Sequence, residues 1–264
     1  MRIQVISDIH LEHHSTIPKH LLNPDNIKAP YLFLLGDIGI PTQQNSLWLE
    51  YITWCNKQPT LEKIFYVLGN HESYSSTYED TLTYIRNTFS KMPKFTLLEH
   101  NTIASLEDYT VIGCTLWSDI DFGTALLMND MRNIYTSISS KNHTPITLAN
   151  LQSWYKRDKE WLELTLNNLQ SNPAKCNKII VATHHMPSMR LIPSKFQNPR
   201  DMKYAKGFAS NLDHLIPLTN IWLFGHTHTH IDTMLDKTRC YANPMGYPGE
   251  YGVNYLPQKV IELD

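Results

Sequence analysis

The sequence has no C-x-x-C pair among its four cysteines, Cys55, Cys114, Cys176 and Cys240. That absence removes thiolate metal knuckles and redox dithiols, and the irregular spacing speaks against a disulfide frame. Cysteines scattered in this way are expected as free thiols packed in a core. An excess of one charge is missing too: 23 Lys+Arg face 25 Asp+Glu, for a formal net charge of -2. No global basic field is available to hold nucleic acid, and no polybasic run to hold a membrane surface. No apolar stretch approaches the length of a membrane span. A cleaved leader would remove Asp8 and His10, so the chain is expected to be cytoplasmic.

Internal repeats, low-complexity tracts and linker-like segments are also absent. With 264 residues and a core large enough to bury, one domain over 1–264 is expected. Short β-branched or aromatic runs at 2–6, 31–35, 63–68, 178–183 and 220–224 read as buried strands. Between them lie segments of helical period at 46–57, 78–92 and 147–171, the last with Thr147 as its N-cap. This is the rhythm of a mostly parallel sheet. Two groups break it with short turns only: 95–98, 103–105 and 109–114, then 231–235, 239–242 and 259–263 around a Pro/Gly-rich loop at 243–257. Such antiparallel groups suggest a second sheet packed on the first. The expected class is α/β, a four-layer α/β/β/α sandwich of two mixed sheets flanked by helices.

Where the strand-like runs end, short polar clusters begin: Asp8-Ile9-His10, Gly36-Asp37, Gly69-Asn70-His71-Glu72, His184-His185 and Gly225-His226-Thr227-His228. Each holds carboxylate, amide or imidazole groups, and together they suffice for two divalent ions side by side. Sites in α/β sheets collect at the carboxyl ends of strands, so one fold brings these loops to one edge. A nitrogen and oxygen donor set without thiolate suits Mn²⁺, Fe, Co²⁺ or Zn²⁺.

The ordered pattern D-x-H, G-D, G-N-H-E, H and G-H-x-H resembles the calcineurin-like metallophosphoesterase superfamily from Asp8 to His228. Segments 113–117, 128–130 and 243–247 resemble a bacterial branch of it whose substrate is unassigned. The resemblance implies one metal at Asp8, His10 and His228, a second at Asn70, His184 and His226, and Asp37 bridging them. It implies a phosphoric ester hydrolase in which a metal-bridging hydroxide attacks a phosphomonoester or phosphodiester. Two divalent ions are the expected cofactors, manganese foremost, and His71 is the expected general acid. Ile40 stands where purple acid phosphatases of the superfamily carry a tyrosine ligand, which speaks against a tyrosinate–iron centre. A small phosphoester is the expected partner; nucleic acid and phosphoprotein lack support, and no membrane is expected. The competing reading is a metal-binding scaffold on the same fold, although no motif position is substituted.

Some residues keep two readings. His184 fits the family block T-H-x-x-P-S, while His185 adjoins it. His230 is either an outer partner of the site or a polar residue at a strand start. His13, His14, His20, His100, His143 and His214 match no motif and read as surface or core residues. Glu72 either fixes an imidazole tautomer or opens a helix. Segment 186–208 carries Arg190, Lys195, Arg200, Lys203 and Lys206, either a grip for an anionic substrate or a solvated basic surface. Asn129, Asp130 and Arg132, in the insertion at 119–146, pose the same question.

Overall fold

In the computed structural model, which describes residues 1–139, 142–171 and 178–263, successive side chains of the central strands enter two different cores. Strands β1 (Arg2–Ile6), β2 (Tyr31–Leu35), β3 (Lys63–Val67) and β5 (Phe95–Leu98) run parallel in one sheet, with β14 (Ile261–Glu262) antiparallel at its edge. Phe33, Leu35, Phe65 and Val67 face a second sheet, while Leu32, Leu34, Ile64 and Tyr66 join the outer core. Both faces are therefore apolar, as a sheet covered on both sides requires.

The second sheet has six strands. Here β7 (Tyr109–Cys114), β10 (Lys178–Thr183), β11 (Ile221–Leu223) and β13 (Thr238–Ala242) are parallel. Strands β6 (Ile103–Leu106) and β12 (Ile231–Leu235) close its edges in antiparallel pairing. Val111, Ile180, Ala182 and Leu223 meet the first sheet, and the stacked Phe33 and Phe65 rings lie 4.7 Å apart in that inner core.

Helices supply the outer layers. Helix α1 (Leu47–Lys57) starts where the Ser46 hydroxyl accepts the Trp48 amide, and it buries Trp48, Tyr51, Ile52 and Cys55. Full burial of one such large side chain stabilises by about 1.5–3 kcal/mol. Helix α2 (Tyr78–Phe89) follows strand β4 (Ser76–Thr77) and buries Leu82, Ile85 and Phe89. Helix α3 (Leu148–Gln170) begins at Thr147, whose amide donates to Asn150 Oδ1, and presents Leu151, Leu162 and Leu166 to the core. The four-layer α/β/β/α arrangement is the one expected.

Two strand assignments are corrected. Segment 95–98 does not pair with its followers but lies parallel to β3; a turn with Asn101 at φ 80° then carries the chain to the second sheet. Segment 259–263 shortens to β14 and pairs with β1 in the first sheet. A small third sheet also forms, from β4, β8 (Ile134–Ile138) and β9 (His143–Pro145). Its strands show no alternating pattern, because β4 is only two residues long and β8 and β9 are mostly exposed. Cys55, Cys114 and Cys240 are buried free thiols, and Cys176 lies outside the described residues. Among the described residues no helix is long and apolar enough to cross a membrane.

Candidate metal centre

The first sheet delivers Asp8, His10, Asp37, Asn70 and His71 just beyond β1, β2 and β3; the second delivers His184, His226 and His228 beyond β10 and β11. The loops stay paired past the strand ends. Asp8 N donates to Gly36 O, His10 N to Asp37 O, and Gly225 N to His184 O, each within 3.0 Å. The two sheets are joined here by side chains: both Asp8 carboxylate oxygens accept the His226 amide at 3.0 Å. Asp37 Oδ1 accepts the His71 amide at 2.8 Å.

This convergence needs unusual backbone. Asp8, His10, Asp37, His226 and His228 all adopt left-handed φ, between 44° and 66°. Such conformations cost on the order of 1–3 kcal/mol each for residues with a Cβ, and persist where surrounding structure over-determines them. Gly36, at φ 82°, sits so close to Gly69 N and His184 Nδ1 that a Cβ there would collide with both.

Of three donor groups among the described residues, two match the expected ligands, and the third, His10, Glu12, His13 and His71, overlaps the first at His10. Asp8, His10 and His228 offer ligand atoms within 4.8 Å of one another, and so do Asp37, His184 and His226. Asp37 lies between: its Oδ2 is 3.4 Å from His184 Nε2 and 3.9 Å from His10 Nε2. Asn70 Oδ1 approaches His184 Nε2 at 3.1 Å. His184, not His185, belongs to this group. The His185 ring instead packs 5.7 Å from Trp117, its Nδ1 3.3 Å from Thr115 O, and burial with the His184 charge pushes it down to about 3.

The far side of each donor is tied down. His10 Nδ1 donates to Glu12 at 3.0 Å, His228 Nδ1 to Glu250 at 2.6 Å, and His184 Nδ1 to Leu35 O at 2.7 Å. His226 Nε2 donates to Gly207 O at 3.2 Å, and Asn70 Nδ2 to Asp130 at 2.8 Å. With those protons committed, the remaining ring nitrogens and the Asn70 oxygen carry lone pairs into the centre. His10 Nε2 and His228 Nε2 meet at 3.0 Å. Two facing lone pairs repel unless a proton or a metal cation lies near both; against burial, Asp8 and Glu250 hold a proton on His228 up to about 10, and a divalent metal fits where that positive charge sits. Burial alone would raise the Asp37 carboxyl, but positive charge at His184 (a proton on Nε2, or the metal cation that would displace it) and at His71 holds it well below its usual range.

His71 lies beside this ring. Its Nδ1 donates to Glu12 at 2.8 Å, which leaves Nε2 4.0 Å from Asp37 Oδ2 and 3.4 Å from the Tyr247 hydroxyl. Burial pulls its pKa down, but Asp37 and Glu12 together hold it up at about 8. Tyr247 also covers His10 at 4.3 Å between ring centres.

Glu72 hydrogen-bonds no imidazole among the described residues, so it fixes no tautomer. It accepts the amides of Asp37, Ile38 and Gly69 and the Tyr66 hydroxyl, so it clamps two ligand loops from behind. It does open the short 3₁₀ turn His71–Ser73. His230 stacks edge-on with Tyr241 at 5.4 Å and belongs to none of the three donor groups. His13 reads from sequence as a surface or core residue, yet it stands at the rim, 3.8 Å from Glu12. Glu12, Glu250 and the roles of Asp130 and Tyr247 were missed. Only Glu12 had a local signal, its place two residues beyond His10.

From the centre opens a cavity of about 360 Å³. Segments 127–130 and 186–208 both line it, but none of the five basic side chains does. Arg190 turns to Asp236 at 3.6 Å, Lys206 to Asp121 at 2.9 Å, and Lys195 to Gly252 O at 3.2 Å. Arg200 and Lys203 are exposed. The solvated basic surface is the reading that stands.

A family model described as calcineurin-like phosphoesterase matches residues 1–230. An uncharacterized protein of Acanthamoeba polyphaga mimivirus is 30% identical over 283 residues, covering 100% of this chain and 98% of that protein. Among solved structures, the phosphopantetheinyl hydrolase of Mycobacterium tuberculosis superposes with a TM-score of 0.65 at 16% identity, over 95% of this chain and 93% of that one. A dimetal phosphatase from Danio rerio gives a TM-score of 0.54 at 11% identity, over 96% and 87%. These two likenesses are of fold. Taken with the match over 1–230, the chain belongs to the calcineurin-like phosphoesterase family of metal-dependent phosphoesterases.

Proposed function

We propose that the chain, as one domain over 1–264, is a dinuclear phosphoric ester hydrolase acting on a small phosphomonoester or phosphodiester. Asp8, His10 and His228 would hold one divalent ion, Asn70, His184 and His226 the other, with Asp37 shared. One observation carries this reading: each imidazole and the Asn70 amide is tied by its far atom to a carboxylate or carbonyl, so the lone pairs converge. Nitrogen and oxygen donors without sulfur favour Mn²⁺, with Fe, Co²⁺ and Zn²⁺ as competitors. When bound, two such ions neutralise phosphoryl oxygens and acidify water toward neutral pH.

His71 is the proton donor of the scheme. Its Nδ1–H is committed to Glu12, so Nε2–H is the proton facing the centre. As a hydroxide oxygen, from water whose proton has already gone to solvent, joins phosphorus and the P–O bond to the alcohol breaks, the His71 proton passes to the departing oxygen. Positioned transfer of this kind contributes typically about 10²–10⁴-fold. The names of the mycobacterial and Danio rerio structures, a phosphopantetheinyl hydrolase and a dimetal phosphatase, are in keeping with ester hydrolysis at phosphorus.

The test is hydrolysis of bis-p-nitrophenyl phosphate beside p-nitrophenyl phosphate by chelated protein, before and after Mn²⁺ is restored, with metal content measured in parallel. Metal-dependent turnover is expected, and the faster ester assigns the diester or monoester preference. Folded protein that binds two ions and hydrolyses neither ester would refute the enzyme reading.

A further inference from the structure

The cavity beside the centre is as selective in what it omits as in what it holds. Among the described residues, no lysine or arginine lines its volume of about 360 Å³. Its wall is apolar and aromatic, from Met128, Ile192, Phe196, Tyr204 and Phe208. Beyond the donor ring and His71, its ionisable side chains are the carboxylic Asp130, Asp201 and Glu250, with the Tyr74, Tyr204 and Tyr247 phenols. The nearby cations point elsewhere: Lys195 lies 4.7 Å from the Phe196 ring centre and donates to Gly252 O, and Lys206 and Arg190 bind surface carboxylates.

We propose that this cavity selects phosphoesters whose alcohol part is uncharged and apolar or aromatic, and rejects those whose alcohol part carries an anion. The inference rests on the phosphoesterase reading and names the substrate class for that site. An anion on the alcohol part would lose water against apolar wall, meet the carboxylates of Asp201 and Glu250, and find no lysine or arginine, since His71 and the donor ring face the phosphoryl group. A neutral ring would lose little on desolvation and gain contact with three aromatic side chains. The volume suits a small molecule and is too small for a polymer. The phosphoryl group is a separate matter, since it is met by the donor ring and not by this wall.

The experiment compares 4-carbamoylphenyl phosphate with 4-carboxyphenyl phosphate, two esters of one shape that differ by a single anion, using Mn²⁺-loaded protein. The neutral ester should show a kcat/KM at least about tenfold higher. Tyr204→Arg, at a position 40% exposed, brings a cation to the wall and should shrink that ratio several-fold. Calorimetric affinities for the non-hydrolysable pair 4-carbamoylbenzylphosphonate and 4-carboxybenzylphosphonate should show the same gap without turnover. Equal kcat/KM for the two esters, or a ratio that Tyr204→Arg leaves unmoved, overturns the selectivity and leaves the phosphoesterase reading intact. If neither ester is turned over, that reading falls. The phosphonates then decide the cavity on their own: a tenfold gap keeps the selectivity and equal affinities overturn it.

Discussion

The donor ring and the cavity wall share one opening but are built by opposite means. Every donor sits at the end of a parallel strand, and the ligand loops bond to one another across the two sheets. Asp8, His10, Asp37, His226 and His228 are held left-handed, strain that only such cross-bracing sustains. The wall, by contrast, is a string of short turns, Met189–Leu191, Ser194–Phe196 and Asp201–Lys203, ending in the single helical turn Ala205–Phe208. Its backbone bonds are largely local, with Met186 and Ser210 fastening its two ends, and Phe196, Met202 and Tyr204 remain exposed. One region is held by bonds between segments distant in the chain; the other offers a surface. The proposed reaction chemistry rests on the first and the proposed choice of substrate on the second.

If that division holds, the heaviest loss comes from the residue proposed to be shared between the two ions. Asp37→Asn removes the shared charge where His10 and His184 approach it, and kcat/KM is expected to fall on the order of 10³-fold or more. Metal content by elemental analysis should fall with it. A variant that keeps activity within about tenfold would break the comparison at its root, since the ring would then tolerate what the wall tolerates.

His71→Ala should leave metal content unchanged and slow esters with poor leaving groups by about 10²–10³-fold. Its pH signature is separable. Asp37 and Glu12 outweigh burial and hold the imidazole up at about 8. The acid form is complete below that value and lost as pH rises through it, so turnover should decline on the alkaline side. Glu12→Gln deletes one of the three supporting charges, Asp37, Glu12 and Asp130, and the alkaline limb should move to lower pH. A limb that stays in place would remove His71 from the proton transfer.

How much of this was legible beforehand divides along the same line. Donor residues are rare types at strand ends, so Asp8, His10, Asp37 and His226 announce themselves by position. The strands are equally plain, because both faces of each are apolar. Partners that tie the donors are not plain: Asp130 meets Asn70 across 60 residues and Glu250 meets His228 across 22, and either could be an ordinary surface acid. Strand 95–98 misled because alternation reports burial and says nothing about which neighbour a strand takes. The wall was least legible, since where a lysine points depends on a carboxylate such as Asp121, 85 residues away.

Asp130→Ala probes the boundary between the two regions, as Asp130 lines the cavity while accepting from Asn70 and Tyr74. An outer partner of this kind typically costs about 10–100-fold in metal affinity when removed. Competition titration of Mn²⁺ checks it. A purely wall-like residue would change substrate KM and leave the titration unmoved.

The smallest effect is asked of Arg190→Ala and Lys206→Ala. Both belong to the basic segment beside the site, yet Arg190 pairs with Asp236 and Lys206 with Asp121, each pair at the surface. Exposed ion pairs contribute little to stability, and neither side chain reaches the cavity. The KM for a phosphomonoester should therefore stay within about twofold of the parent for each variant, at low and at moderate salt. A KM that rises tenfold and rises further at low salt would mean that these cations swing inward to grip the substrate. The wall would then be an electrostatic device after all, and its apolar lining would no longer explain what it admits.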